Sequence, residues 1–193
     1  MVLAAGRSVR FGSPKQLALL EGRPLAAHAF GAVAAACRAG ILDGGVAVVA
    51  AGDEAVERLA RAAGLDVAWN EHAHDGLSTS LRTGLHHLTS PGLDPAPLAA
   101  LVCLADQPRL RAEVMVALLD AWDEGRADLI RPRYAGDPRA PGHPVLLDRR
   151  LWPEADAATG DAAFARFAAT RTHFVRVEGQ NPDVDVPGDL GRA

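Results

Sequence analysis

Apolar runs of strand length alternate with Ala/Leu-rich helical stretches along this 193-residue chain, and that alternation leaves few folds open. Residues 1–5 read as the end of a first strand, and GVAVVAAG at 45–52, DVAWN at 66–70 and PLAALVCLADQP at 97–108 read as further strands. Runs this continuously apolar must be covered on both faces, as in a parallel sheet flanked by helices. The helices are predicted at 24–40, with Pro24 in the first turn and Gly40 at the end, at 53–64 behind an Asp53 cap, at 78–88, at 111–125 and near 160–170. On the second of these, Val56, Leu59, Ala60 and Ala63 share one face. ADLIRPRY at 127–134 and HPVLLD at 143–148 read as two strands joined by the turn-rich AGDPRAPG, and THFVRVEG at 172–179 as a last strand. The expected fold is α/β, three-layered and Rossmann-like. Its sheet is mostly parallel with helices on both faces, and a small inserted β lobe at about 128–150 faces the substrate, all within one domain spanning 1–193.

Composition narrows the function classes. The net charge of −4 argues against a general nucleic-acid binder, whose footprint is a basic face. No stretch approaches the roughly 20 apolar residues of a membrane span, and the opening MVLAA lacks the basic region of a secretory signal, so a cytoplasmic protein is expected. Cys37 and Cys103 stand in apolar surroundings without metal-type spacing and read as buried reduced thiols. Of the histidines, His72 and His74 could bind a metal in isolation but read as part of a solvated loop, and no HExxH zinc pattern is present.

Against 19 arginines the chain has a single lysine, Lys15, inside LAAGRSVRFGSPKQL at 3–17. A surviving ammonium among so many guanidiniums points to a place where a compact point charge is needed, as between phosphate oxygens. Arg7, Arg10, Lys15 and Arg23 against Glu21 give residues 1–24 a net charge of +3 in an acidic protein, a local site for a polyanion. Gly6 and Gly12 let backbone approach a ligand closely, and the loop follows a strand, so it lies at the carboxyl end of the sheet where α/β proteins bind ligands. It is neither a Walker loop nor a dinucleotide GxGxxG.

Three further segments carry chemistry. Asp106 ends a buried strand and is followed by Gln-Pro; an aspartate is strand-averse and costly to bury unpaired, but it suits Mg²⁺, which takes one or two carboxylates plus phosphate oxygens. In NPDVDVPGDL at 181–190, alternation puts Asp183 and Asp185 on one side of an extended stretch. In NEHAHDGLSTSLRTGL at 70–85, Gly76 permits a close approach, and Ser78 and Ser80 stand at a helix start, where a hydroxyl either caps the helix or faces a ligand.

These segments together resemble the nucleotidyltransferases with a GT-A-like α/β fold, and within them the molybdenum cofactor (molybdopterin) cytidylyltransferases. LAAGRSVRFGSPKQL is similar to their LAAGxSxRxGxxKxL signature, 70–85 to Nx₅G[ML]xxSLxxG, LVCLADQPRL to their metal-aspartate segment, APGHPVLLD to RGHPVLF, TGDAAF to a GDxGA loop and NPDVDVPGDL to DxDTPEDL. The resemblance implies that Leu3, Ala4, Ala5, Gly6, Arg7 and Ser8 wrap the triphosphate, that Gly12, Gly76, Ser78 and Ser80 complete the nucleotide site, and that Arg10 and Lys15 stabilise the pyrophosphate and the α-phosphoryl group. It implies Mg²⁺ on Asp106 and Asp185, and an acceptor phosphate near Gly142, His143 and Pro144, where His143 could also carry charge. Ala140-Pro141 replaces the family's arginine before Gly-His-Pro, with Arg139 shifted by one; Val186 and Gly188 replace Thr and Glu in the closing motif. The implied activity is transfer of a nucleotidyl group from a triphosphate, CTP for preference given LAAG, onto a phosphorylated pterin, in service of a client molybdenum enzyme. A GTP-using or sugar-phosphate transferase of the same fold, and a non-catalytic cofactor-delivery chaperone, are the competing expectations.

Overall fold

The computed structural model describes every residue except 7, 9–10, 92–95, 138–141, 161–163, 165–166, 168–170 and 192–193. Among the described residues lie nine strands and five α-helices: β1 Val2–Leu3, β2 Leu19–Leu20, β3 Arg23–Pro24, α1 Leu25–Arg38, β4 Val46–Ala50, α2 Glu54–Ala62, β5 Asp66–Asn70, α3 Leu77–Leu88, β6 Ala99–Leu104, α4 Ala112–Asp123, β7 Leu129–Tyr134, β8 Val145–Asp148, α5 Trp152–Ala155 and β9 Thr172–Val177. Of these, β2, β3 and α5 have no counterpart among the elements expected from sequence, and the others follow the expected order. Asp53 caps α2 as expected, its carboxylate accepting from the Val56 amide at 3.2 Å. The helix expected near 160–170 falls largely outside the described residues.

Seven strands form one sheet in the order β5-β4-β1-β6-β8-β7-β9. All pairs are parallel except those of β8, which runs antiparallel to both β6 and β7. Both strands expected within 127–148 therefore form, and both belong to the main sheet.

The period-2 alternation of side chains splits the core into two layers. Val2 and Ala4 point into a cluster with Phe30 and Val33 of α1, Val56 of α2, and Met115 and Leu118 of α4. Leu3 points the opposite way, toward Leu81 and Leu85 of α3 and Trp152 of α5. The consequence for function is positional. β1 lies between β4 and β6, so the loop leaving β1 and the turn leaving β6 emerge side by side at the carboxyl edge.

Candidate active site

A cavity of about 650 Å³ opens at that edge, lined by the loop after β1, the turn after β6, the start of α3 and the segment around Asp183 and Asp185. That volume is in the range of small-molecule sites.

Side-chain amides hold the loop in shape. Gln16, 5% exposed, donates from Nε2 to the Ala4 carbonyl at 3.2 Å and the Gly6 carbonyl at 2.6 Å. Its Oε1 accepts from the Ser8 hydroxyl at 3.0 Å, and Ser8 Oγ in turn accepts from the Lys15 amide at 2.9 Å. Ser8 adopts φ of 55°, and its carbonyl accepts from the amides of Phe11 and Gly12. The Ser8 hydroxyl thus serves the loop's own shape. Gln16 had no role in the sequence reading; its signal there was only a position adjacent to the lysine.

Lys15 starts a one-turn 3₁₀ helix, Lys15–Leu17, and its side chain is only 12% exposed. The ammonium donates to Asp106 Oδ2 at 2.6 Å, to Asp185 Oδ1 at 3.4 Å and to the Val184 carbonyl at 3.2 Å. Residues 15, 106 and 185, chosen from three separate motifs, converge on one point. Asp106 Oδ1 is buried and finds no hydrogen-bond partner among the described residues. A buried carboxylate oxygen left bare is expensive, and a hard cation is the kind of group that would satisfy it. Among the described residues no cluster of three or more His, Cys, Asp or Glu could enclose a metal ion. Two carboxylates beside one another suit a cation that takes its other ligands from phosphate oxygens and water.

Across the cavity, Asn70 organises the approach to α3. Its Nδ2 donates to Thr79 Oγ1 at 2.9 Å and Ser80 Oγ at 3.0 Å, and its Oδ1 accepts from the His72 amide at 2.9 Å. Gly76 has φ of 101°, and a Cβ there would stand 2.5 Å from the Gly160 carbonyl carbon, so the close approach it permits is that of backbone 160. The Gly160 carbonyl accepts from the Ser78 amide at 3.0 Å. Ser78 does not cap the helix: its hydroxyl is buried and without a partner among the described residues. Ser80 lines the cavity.

Of the other expected residues, Leu3, Ala4, Ala5, Gly6 and Ser8 line the cavity with Gly76. Gly12, with φ of 76°, lines an adjoining hollow beside Pro14 and Asp53. Arg7, Arg10 and Arg139 lie outside the described residues. Gly142, His143 and Pro144 do not line the cavity; the Gly142 amide donates to the Pro132 carbonyl of β7 at 3.0 Å. Gly142 packs so closely on the Tyr134 ring that a Cβ would come within 2.8 Å, and Tyr134 Oη donates to the His143 carbonyl at 2.7 Å. The His143 ring meets Phe164 edge-on at 5.3 Å. Burial, then the nearby Arg131 guanidinium, pushes the imidazole pKa down to about 3. His143 is therefore neutral at physiological pH, and the charged form considered from sequence is disfavoured by its own surroundings.

The sequence profile of the MobA-like NTP transferase domain matches residues 1–176. The chain belongs to that family. No curated protein matches it in sequence. Among solved structures, Rv0371c from Mycobacterium tuberculosis H37Rv is 28% identical with a TM-score of 0.77, over 99% of this chain and 93% of that one. Its complex with manganese gives 25% identity and a TM-score of 0.75, over 99% and 94%. Molybdopterin-guanine dinucleotide biosynthesis protein A from Archaeoglobus fulgidus shares the fold at a TM-score of 0.66 and 17% identity, over 99% and 94%. Like other MobA-like domains, this chain has a nucleotidyltransferase fold: a mostly parallel seven-stranded sheet with helices on both faces. Among the described residues no helix is long and apolar enough to cross a membrane.

Proposed function

We propose that the protein transfers CMP from CTP onto the phosphate of a molybdopterin-type acceptor, releasing pyrophosphate. The observation that carries a nucleotidyl transfer is the convergence of Lys15, Asp106 and Asp185 at the mouth of a glycine-bearing loop. An acceptor phosphate oxygen forms a bond to the α-phosphorus, the α–β P–O bond breaks, and its electron pair leaves with pyrophosphate. A phosphate nucleophile is already ionised, so no base is required, and positioning and electrostatics carry the rate.

Asp106 and Asp185 would hold Mg²⁺, which when bound offsets negative charge on the phosphates. The relative solved with manganese supports a divalent cation in this fold. Lys15 contributes a fixed positive charge, and Gln16 keeps the loop carbonyls of Ala4 and Gly6 turned inward, away from an anion. Ala5, in LAAG, supports CTP over GTP through the resemblance described above. By the same resemblance, Gly142, His143 and Pro144 would contact the pterin end of the acceptor while its phosphate attacks at the Lys15 site, and the product would serve a molybdenum enzyme in the cytoplasm.

The test is pyrophosphate release with CTP, GTP or ATP, Mg²⁺ and molybdopterin. Release with CTP well above the other two is expected. Equal turnover with all three removes the cytidylyl assignment, release only with a sugar phosphate replaces the acceptor, and no release with any pair rejects catalysis in favour of a carrier role.

A further inference from the structure

Asp185 belongs to a stretch, residues 181–186, that pairs with no strand among the described residues. Its carboxylate nevertheless arrives beside the ammonium that Asp106 touches, 79 positions away in the chain. The hydrophobic anchor of the stretch is Val184, fully buried against Phe11, Leu20 and Leu25. One buried side chain fixes depth but leaves rotation about the chain axis open, and rotation decides where residues 183 and 185 point.

The rotation is set from the residue next to Asp106. Gln107 is 6% exposed, and both ends of its carboxamide are engaged. Nε2 donates to Asp183 Oδ1 at 2.7 Å, and Oε1 accepts from Asn181 Nδ2 at 3.3 Å. Asn181 Oδ1 accepts from the Arg109 amide at 2.9 Å, and the Val184 amide donates to the Asp106 carbonyl at 2.9 Å. These bonds stitch the turn after β6 to the stretch at residues 181, 183 and 184, immediately before Asp185. We propose that Gln107 is a positioning residue that sets the spacing of Asp106 and Asp185 without touching substrate or cation. The role needs a group that donates to a carboxylate and accepts from an amide at once; glutamate lacks the donor, and methionine makes no such pair. The consequence for cation binding rests on the reading of Asp106 and Asp185 given above. The spacing itself does not.

The lone lysine supplies the assay. Protein grown with labelled lysine gives one side-chain ammonium signal, and that ammonium bridges the two carboxylates in question. The variants are Gln107→Met, matched in length, and Gln107→Asn, which keeps a carboxamide but is one methylene too short. In both, Lys15 ammonium exchange with water is expected to rise about tenfold, as loss of a hydrogen bond or two implies. Mn²⁺ affinity, read by the free-ion paramagnetic signal, is expected to fall ~10–100-fold, as for other residues that orient metal ligands. The amide spectrum of α1 and α3 is expected to stay in place. Lysine exchange that matches wild type in both variants overturns the proposal, as does measurable Mn²⁺ binding of equal affinity in all three proteins. Faster lysine exchange with no Mn²⁺ binding even in wild type upholds the spacing role and rejects the metal assignment instead.

Discussion

Lys15 has three acceptors around one ammonium, two of them carboxylates on different parts of the chain. Three donors on a small tetrahedral head can serve such a cluster; a planar guanidinium, wider and fork-shaped, cannot take the same place without pushing one carboxylate away. Lys15→Arg is therefore expected to lose most of what Lys15→Ala loses, a fall of ~10²–10³ in kcat as for removal of one preorganised charge-stabilising group. Steady-state kinetics with CTP check this, and an arginine variant as active as wild type would discard the point-charge argument. The lysine was legible from composition alone, because only one survives among arginines. Gln16 and Gln107 were not, and Asn70 showed only as the first letter of a matched motif, with no role attached. Each is a buried amide, at 5%, 6% and 2% exposure, whose meaning lies in its partners, and partners distant in sequence leave no mark on the residue itself.

At the scale of elements, the start of α3 is fixed by backbone meeting backbone. Gly76 combines a positive φ with a neighbour, Gly160, that has no side chain to yield. Gly76→Ala must therefore move the 160 segment or the first turn of α3, and α3 carries Ser80 into the cavity. A destabilisation of about 2 kcal/mol or more is expected, the range of mutations that strain a special backbone position. In a chain of this size that is roughly 4–8 °C in thermal midpoint. A midpoint within a degree of wild type would show that the contact relaxes freely. The helix itself was visible in sequence within one residue, Ser78–Leu88 against Leu77–Leu88, because its apolar period and capping region are local signals. The reason for Gly76 was not, since the Gly160 contact spans 84 positions and is set only by folding.

For the whole molecule, alternation predicted a covered parallel sheet and the sheet is there, but strand order was not legible. β8 inserts antiparallel between β6 and β7, an arrangement that local periodicity cannot specify because either direction buries the same Val145, Leu146 and Leu147. That order matters because β1 and β6 become neighbours, so Gly6, Lys15, Asp106 and Asp185 meet although they come from both ends and the middle of the chain. A ligand held there ties together parts of the fold that separate only on global unfolding, and it binds the native state alone. At a CTP concentration 100 times its Kd the gain is about 2.7 kcal/mol. Spread over a chain of 193 residues, it corresponds to roughly 5–10 °C in midpoint. The shift is expected with CTP and Mg²⁺ together and is expected to shrink when Asp106→Ala removes the carboxylate facing Lys15. Differential scanning calorimetry of both proteins, each with and without Mg²⁺, reads this directly. A CTP shift that survives in full without Asp106 would mean that the triphosphate is held by the loop alone, and the acidic side of the cavity would need another purpose.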